Sequence, residues 1–201
     1  MISWQILFAM RLFIAVDLDD AAREAIGAEQ GRIASAMGKA RGGLKWVKPD
    51  HMHLTLVFLG EVGEPQNAAV VAAMGRSIDG SPFHMALEEL GVFPSHGAPR
   101  VLWIGITEGA TQLAEMYQEI AARVATCGVA LEARPFHPHL TLGRWRDGRS
   151  SDRRNALAAM EPGIVARVAV NGATLYHSRL SSTGSTYTAL ARARLSGRTT
   201  A

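Results

Sequence analysis

The sequence predicts an α+β fold of two similar lobes sharing one body. Three observations carry that reading. The hexapeptide H-M-H-L-T-L at His51–Leu56 returns as H-P-H-L-T-L at His137–Leu142, with five of six residues identical. Strand-like and helix-like segments alternate along the chain, and each half carries one H-x-T strand. No low-complexity linker separates the halves. Chance does not account for the repeat. With 7 His, 11 Thr and 19 Leu in 201 residues, H-x-T arises about 0.4 times and H-L-T-L about 0.003 times. Outside the hexapeptide little identity aligns, so the duplication is one of architecture.

The elements follow in order. Leu12–Val16 is a short apolar run and reads as a buried strand. Asp19 and Asp20 offer an N-cap, and helix formers continue from Ala21 to Met37. Gly42 and Gly43 break that pattern, and Leu44–Val47 is a strand before the Pro49-Asp50 turn. His53–Leu59 is β-branched and aromatic and is closed by Gly60. Glu64–Ile78 reads as helix, then Phe83–Phe93 and Val101–Ile106 as strands. Thr111–Thr126 is an amphipathic helix. His139–Trp145 is a strand, followed by a polar loop at Asp147–Asp152 and a short helix at Arg153–Met160. Val165–Leu180 and Ser185–Arg192 close the chain as strands around the S-S-T-G-S turn.

Composition narrows the class. Apolar residues make up 48% and charged residues 19%, which fits a globular chain with a sizeable core rather than disorder. Cys127 stands alone, so an intrachain disulfide and a cysteine zinc site are both excluded. It precedes Gly128 at a helix end and reads as a buried structural thiol. A reducing, cytoplasmic setting is expected. Net charge is +3, unevenly placed: residues 1–130 carry 10 basic and 14 acidic groups, residues 131–201 carry 11 and 4. The C-terminal part is therefore expected to face an anionic partner. Met1–Val16 is apolar but lacks a basic leader and is interrupted by Arg11, so it reads as a first strand rather than a secretory signal. Met10 is a candidate natural start, which makes residues 1–9 an extension. No membrane span is expected.

The repeated strand has a chemical logic. Side chains alternate along a strand, so His53 and Thr55 share one face while Leu54 and Leu56 take the other. The second copy places His139 and Thr141 opposite Leu140 and Leu142 in the same way, with His51 and His137 extending each polar face. Two imidazoles across a cleft can serve as general acid and general base. Two hydroxyls can hold phosphoryl oxygens between them, and Arg144 can fork onto a phosphate. A zinc site is the competing reading, since H-x-H puts two imidazoles on one face. Neither hexapeptide contains an acidic residue, and threonine has no place in a zinc shell.

These residues carry a resemblance. His53-Leu54-Thr55-Leu56 and His139-Leu140-Thr141-Leu142 resemble the paired H-x-T-x motifs of the two-histidine phosphoesterases. R-L-F-I-A-V-D-L, H-L-T-L-V-F-L-G-E, A-P-R-V-L-W-I-G, R-P-F-H-P-H-L-T-L-G-R and L-Y-H-S-R-L-S-S-T-G-S-T-Y-T-A-L are similar to segments of the RNA 2′,3′-cyclic phosphodiesterases, also called 2′-5′ RNA ligases. The likeness runs from Met10 to Leu195. It implies one bilobal domain over residues 10–195, with a tail at 196–201. It also implies antiparallel sheets with helices packed outside, a cleft between the sheets, no metal and no cofactor.

The implied activity is hydrolysis of an RNA 2′,3′-cyclic phosphate end to a 2′-phosphomonoester by a soluble monomer. His53 would be the proton donor and His139 the proton acceptor. Thr55 and Thr141 would hold the phosphate, with Arg144 as a further phosphate contact. Arg134 is a candidate for the cleft wall, His137 for a supporting place and His51 for the rim. His84, His96 and His177 have no motif around them. Trp46, Phe13 and Tyr176 are the aromatics weighed for stacking on a base, with a core role as the default. The alternatives are an ATP-independent 2′-5′ RNA ligase, an enzyme of small cyclic-phosphate nucleotides, a non-catalytic RNA-end binder and a zinc-dependent hydrolase.

Overall fold

A computed structural model of the chain describes residues 9–38, 43–132, 135–181 and 184–197. In chain order the elements are β1 (Met10–Val16), α1 (Asp20–Met37), β2 (Leu44–Trp46), a 3-10 turn (Pro49–His51), β3 (Leu54–Val62) and α2 (Gln66–Met74). Then come β4 (Phe83–Phe93), β5 (Val101–Ile106), α3 (Ala110–Thr126), β6 (His139–Trp145), α4 (Ser150–Ala158), β7 (Ala166–Val170), β8 (Gly172–Ser181) and β9 (Gly184–Arg194). They build two antiparallel sheets, ordered β3-β1-β8-β9 and β2-β6-β5-β4-β7. The two-lobed α+β reading holds, and each sheet carries one H-x-T strand.

The lobes interleave, which the sequence order conceals. Helix α1 follows β1 of the four-stranded sheet but packs on β7 of the other. Helix α3 follows β5 of the five-stranded sheet but packs on β3 of the first. The leucines of both hexapeptides anchor this arrangement, with Leu54, Leu140 and Leu142 fully buried. Helix α1 is capped by the Asp19 carboxylate, which accepts from the Ala22 amide at 2.8 Å. Its inward stripe of Ala22, Ile26, Gln30, Ile33 and Met37 is buried at helical spacing. Gln30 is the polar member. Its Nε2 donates to the carbonyls of Val47 and Leu142, each at 2.9 Å, and ties the helix to the end of the second hexapeptide.

Four boundaries differ from the expectation, each for a local reason. Val165–Leu180 is two strands rather than one, because the chain leaves one sheet at β7 and enters the other at β8. Gly172 makes that passage at φ 153°, where a Cβ would lie 2.2 Å from the Ala193 carbonyl oxygen. Strand β3 runs through Gly60 to Val62. Gly60 sits at φ 71° beside a bulge, where the register shifts between Leu12/Gly60 and Phe13/Phe58. Helix α2 starts only after Pro65 and stops at Met74, ahead of Gly75. Helix α4 begins at Ser150 inside the expected loop, because the Asp152 carboxylate accepts from the Arg149 amide at 2.7 Å and caps it. Gly42, Arg134 and residues 1–8 lie outside the described residues. Among the described residues no helix is long and apolar enough to cross a membrane.

Gly172→Ala is expected to lower stability in denaturant melts by about 2 kcal/mol or more, since backbone atoms occupy the space. Gly31→Ala, in an open interior turn of α1 with nothing within 4 Å of the added methyl, is expected to raise stability by about 0.5–1 kcal/mol.

Candidate active site

Strands β3 and β6 belong to different sheets yet approach each other across the cleft. There His53, Thr55, His139, Thr141 and Arg144 line one small pocket of about 120 Å³, joined by Tyr187. All five residues singled out in the sequence meet there. Thr55 lies one residue into β3, and His139 and Thr141 open β6. Leu140 and Leu142 point into the core, which fixes the alternate side chains toward the cleft.

The two imidazoles are held alike. His53 Nδ1 lies 3.0 Å from the His51 carbonyl, and His139 Nδ1 lies 2.7 Å from the His137 carbonyl. A carbonyl only accepts, so each Nδ1 carries the proton and donates it. The titrating nitrogen is therefore Nε2 in both rings. Among the described residues neither Thr55 nor Thr141 spends its hydroxyl on another protein group, which leaves both free for a ligand.

Aromatic rings fix the imidazole planes. Phe13 on β1 stacks on His53 with centroids 4.6 Å apart, and Tyr176 on β8 stacks behind Phe13 at 5.3 Å. Tyr187 on β9 stands edge-on to His53 at 5.2 Å. The Tyr176 and Thr174 hydroxyls both donate to the Asp17 carboxylate, at 2.6 and 2.7 Å. Phe13 and Tyr176 thus back the histidine rather than wait for a base, and Phe13 is only 5% exposed. Trp46 lies half-buried on β2 and does not line the pocket. Behind His139, Phe93 packs edge-on at 5.0 Å and Trp103 lies at 6.0 Å. Trp103 in turn covers Gly91, where a Cβ would fall 2.0 Å from its ring.

The remaining histidines separate. His51 sits in the 3-10 turn and lines the pocket, touching Tyr187 at 5.6 Å. His137 faces the adjoining groove and packs on Trp103 at 5.0 Å. His84, His96 and His177 do not line the pocket. Among the described residues no group of three His, Cys, Asp or Glu side chains is placed to hold a metal ion. Arg144 pairs with Lys45 across β6 and β2, and opens beyond the pocket onto a second groove of about 600 Å³ with Lys45 and Arg146.

The model of the LigT-like phosphoesterases matches this chain twice, over residues 16–103 and 104–187. The chain belongs to the LigT-like phosphoesterase family. His53 and His139 fall at equivalent depths in the two matches, 37 residues from 16 and 35 from 104. The RNA 2′,3′-cyclic phosphodiesterase of Thermotoga maritima is 31% identical over 94% of this chain and 97% of its own length. The Escherichia coli K12 protein of the same name is 34% identical over 90% of this chain and 94% of its own length. The crystal structure of E. coli LigT complexed with 3′-AMP superposes with a TM-score of 0.72 at 30% identity, covering 94% of this chain and 99% of that one. The Kluyveromyces marxianus Usb1 structure, at 12% identity and a TM-score of 0.52, shares the fold.

Electrostatics in this LigT-like site favour neutral rings. Burial lowers the His53 pKa to about 4, against smaller upward pulls from the His51 carbonyl and Asp17. Burial also lowers His139, helped by the charges of His137 and Arg144. Burial and the Asp17 carboxylate push Tyr176 up to about 12, so it stays a neutral donor. Tyr187, Phe93 and the two supporting carbonyls were not legible as site groups. Tyr187 reaches His53 only through the tertiary fold, from a strand distant in sequence, and a carbonyl carries no residue signature.

The sign of the His53 shift sets two outcomes. The unfolded chain takes up this proton near pH 6.5 and the folded one only near 4, so this contribution to stability is present above pH 6.5 and lost as pH falls through 4. In NMR titrations of the free protein His53 is expected to titrate near pH 4 and to move upward when inorganic phosphate fills the pocket. A His53 midpoint at 6.5, unmoved by phosphate, would contradict the burial described.

Proposed function

We propose that this protein is a metal-independent phosphodiesterase that opens RNA 2′,3′-cyclic phosphate ends to 2′-phosphomonoesters. The observation that supports it best is the matched pair of imidazoles, each pinned through Nδ1 and each presenting Nε2 to one phosphate-sized pocket. The names of the relatives agree with the reading.

The chemistry proceeds in line. The cyclic phosphate, carrying one negative charge, sits between Thr55 and Thr141. Neutral His139 Nε2 takes a proton from water as the water oxygen bonds to phosphorus. The P–O3′ bond breaks, and protonated His53 Nε2 gives its proton to O3′. Phosphate remains on O2′, and solvent exchange resets both rings. Burial disfavours the imidazolium at His53 in the empty pocket. The bound phosphate supplies the negative charge that stabilises it. The threonine hydroxyls and Arg144 hold the oxygens on which charge grows in the transition state.

The substrate is RNA rather than a bare nucleotide on the strength of the basic groove. Lys45, Arg144 and Arg146 continue from the pocket and suit the upstream backbone. Only part of the C-terminal positive excess serves this surface. Arg167 pairs with Glu108 at 2.7 Å. Arg153 donates to the carbonyls of Pro94, Ser95 and Gly97.

On an RNA oligomer ending in a 2′,3′-cyclic phosphate, with EDTA present, wild type is expected to yield the 2′-phosphate. His53→Ala and His139→Ala should each lose about 10²–10⁴-fold in kcat, and Thr55→Ala or Thr141→Ala about 10²-fold. Activity lost to EDTA and restored by zinc would sink this mechanism in favour of a metal hydrolase.

A further inference from the structure

Asp17 follows β1 directly, on the His53 side of the four-stranded sheet. Strand β1 pairs antiparallel with β3 through Ala15 and Thr55, then Val16 and Leu54. Val16 and Leu54 are buried in the core. One step further along, alternation turns Asp17 and His53 together to the cleft face. Strand β8 flanks β1 on its other side, with Thr174 opposite Ala15 and Tyr176 opposite Phe13. Both hydroxyls reach the Asp17 carboxylate: Tyr176 donates to Oδ1 at 2.6 Å and Thr174 to Oδ2 at 2.7 Å. Each carboxylate oxygen thus has its own donor, and the group is fixed in place.

Asp17 reaches His53 in two ways. The first is mechanical. Asp17 holds Tyr176, Tyr176 stacks on Phe13 with 19° between the planes, and Phe13 stacks on His53. The second is electrostatic. Asp17 favours the imidazolium at His53, whereas Arg23 of α1 and His51 of the 3-10 turn oppose it. The Arg23 guanidinium is spent on the carbonyls of Leu18, Pro49 and Met52. His139 and Arg144 of β6 face His53 across the pocket, and Tyr187 of β9 stands edge-on to it. Among these groups Asp17 is the carboxylate. His139 is placed differently. The charges acting on it, His137 and Arg144, both oppose its protonation, and it borders the aromatic groove lined by Phe58, Phe93, Tyr117 and Phe136.

Burial disfavours the imidazolium at both rings. A carboxylate beside one of them makes that one the better donor. We propose that Asp17 is a positioning residue that assigns the acid role to His53, by fixing its ring through Tyr176 and Phe13 and by stabilising the imidazolium that gives its proton to O3′. The inference rests on the phosphodiesterase reading for the direction of proton transfer.

The test is Asp17→Asn, which keeps the shape and removes the charge. With inorganic phosphate bound, the His53 midpoint read by NMR is expected to fall about one pH unit below wild type. On an RNA 2′,3′-cyclic phosphate end, kcat/KM should then drop about tenfold on the alkaline limb, where protonated His53 is scarce, and hold on the acid limb, which reports His139. Asp17→Glu restores the charge and should lie nearer to wild type. Glu108→Gln, which removes an exposed carboxylate paired with Arg167, should change neither limb. An equal loss on both limbs, or a His53 midpoint unmoved in Asp17→Asn, overturns the inference. Wild type supplies a reading that needs no change at Asp17. The NMR shift of the Asp17 carboxyl carbon should carry an inflection at the His53 midpoint that disappears in His53→Ala, and a wild-type curve without it would equally contradict the coupling. If wild type fails to hydrolyse the cyclic phosphate, the phosphodiesterase reading falls, while the NMR midpoints still decide the part played by Asp17.

Discussion

The hydrogen bond from each histidine Nδ1 to the carbonyl two residues earlier is the constraint on which the rest of the site depends. It settles the tautomer, sets the ring plane and leaves Nε2 as the only nitrogen free for proton transfer. The bond forms in both copies although the chain reaches the first histidine through a 3-10 turn ending at His51 and the second, among the described residues, without one. Position matters there and side-chain identity does not. His51 and His137 act through their backbones in equivalent ways, although one side chain faces the pocket and the other the aromatic groove.

The interleaved fold is what makes the pair converge. Strands β3 and β6 lie in different sheets, and the helices that follow β1 and β5 each cross to the opposite sheet. Neither H-x-T strand can shift without dragging a helix packed on the partner lobe. Gln30 shows the coupling at one residue, joining α1 to the carbonyls of Val47 and Leu142. The two histidines are equivalent in orientation but not in surroundings. His53 is sealed by Phe13 and Tyr187, while His139 meets Phe93 and Trp103 and opens onto the aromatic groove. Pairs of titratable groups in unlike environments are the usual basis for assigning distinct acid and base roles.

Much of this was legible from local pattern. Alternation put the leucines of both hexapeptides in the core and the histidines and threonines in the cleft, and the helix α1 cap was readable at Asp19. Features that depend on distant chain were not. The β7–β8 break follows from where Ala193 passes Gly172. Tyr187 belongs to the pocket because β9, at the far edge of the sheet from β3, sets its ring against His51, His53 and Phe13, and Phe13 and Tyr176 look like free aromatics until Asp17 and His53 are placed around them. Lobe interleaving is invisible to periodicity, since α1 presents the same buried stripe to either sheet.

The most direct test of the acid–base pair is the pH dependence of kcat/KM on a cyclic-phosphate substrate, measured for wild type and for the residual activities of the two histidine variants. The account predicts a bell for wild type, reporting one base and one acid of the free enzyme. Burial lowers both groups, so the bell should lie on the acid side of pH 6.5. Removing His139 should erase the limb that falls toward acid, and removing His53 the limb that falls toward alkali. Both limbs surviving in either variant would mean that the proton transfers belong to other groups, and the two-histidine account would fail.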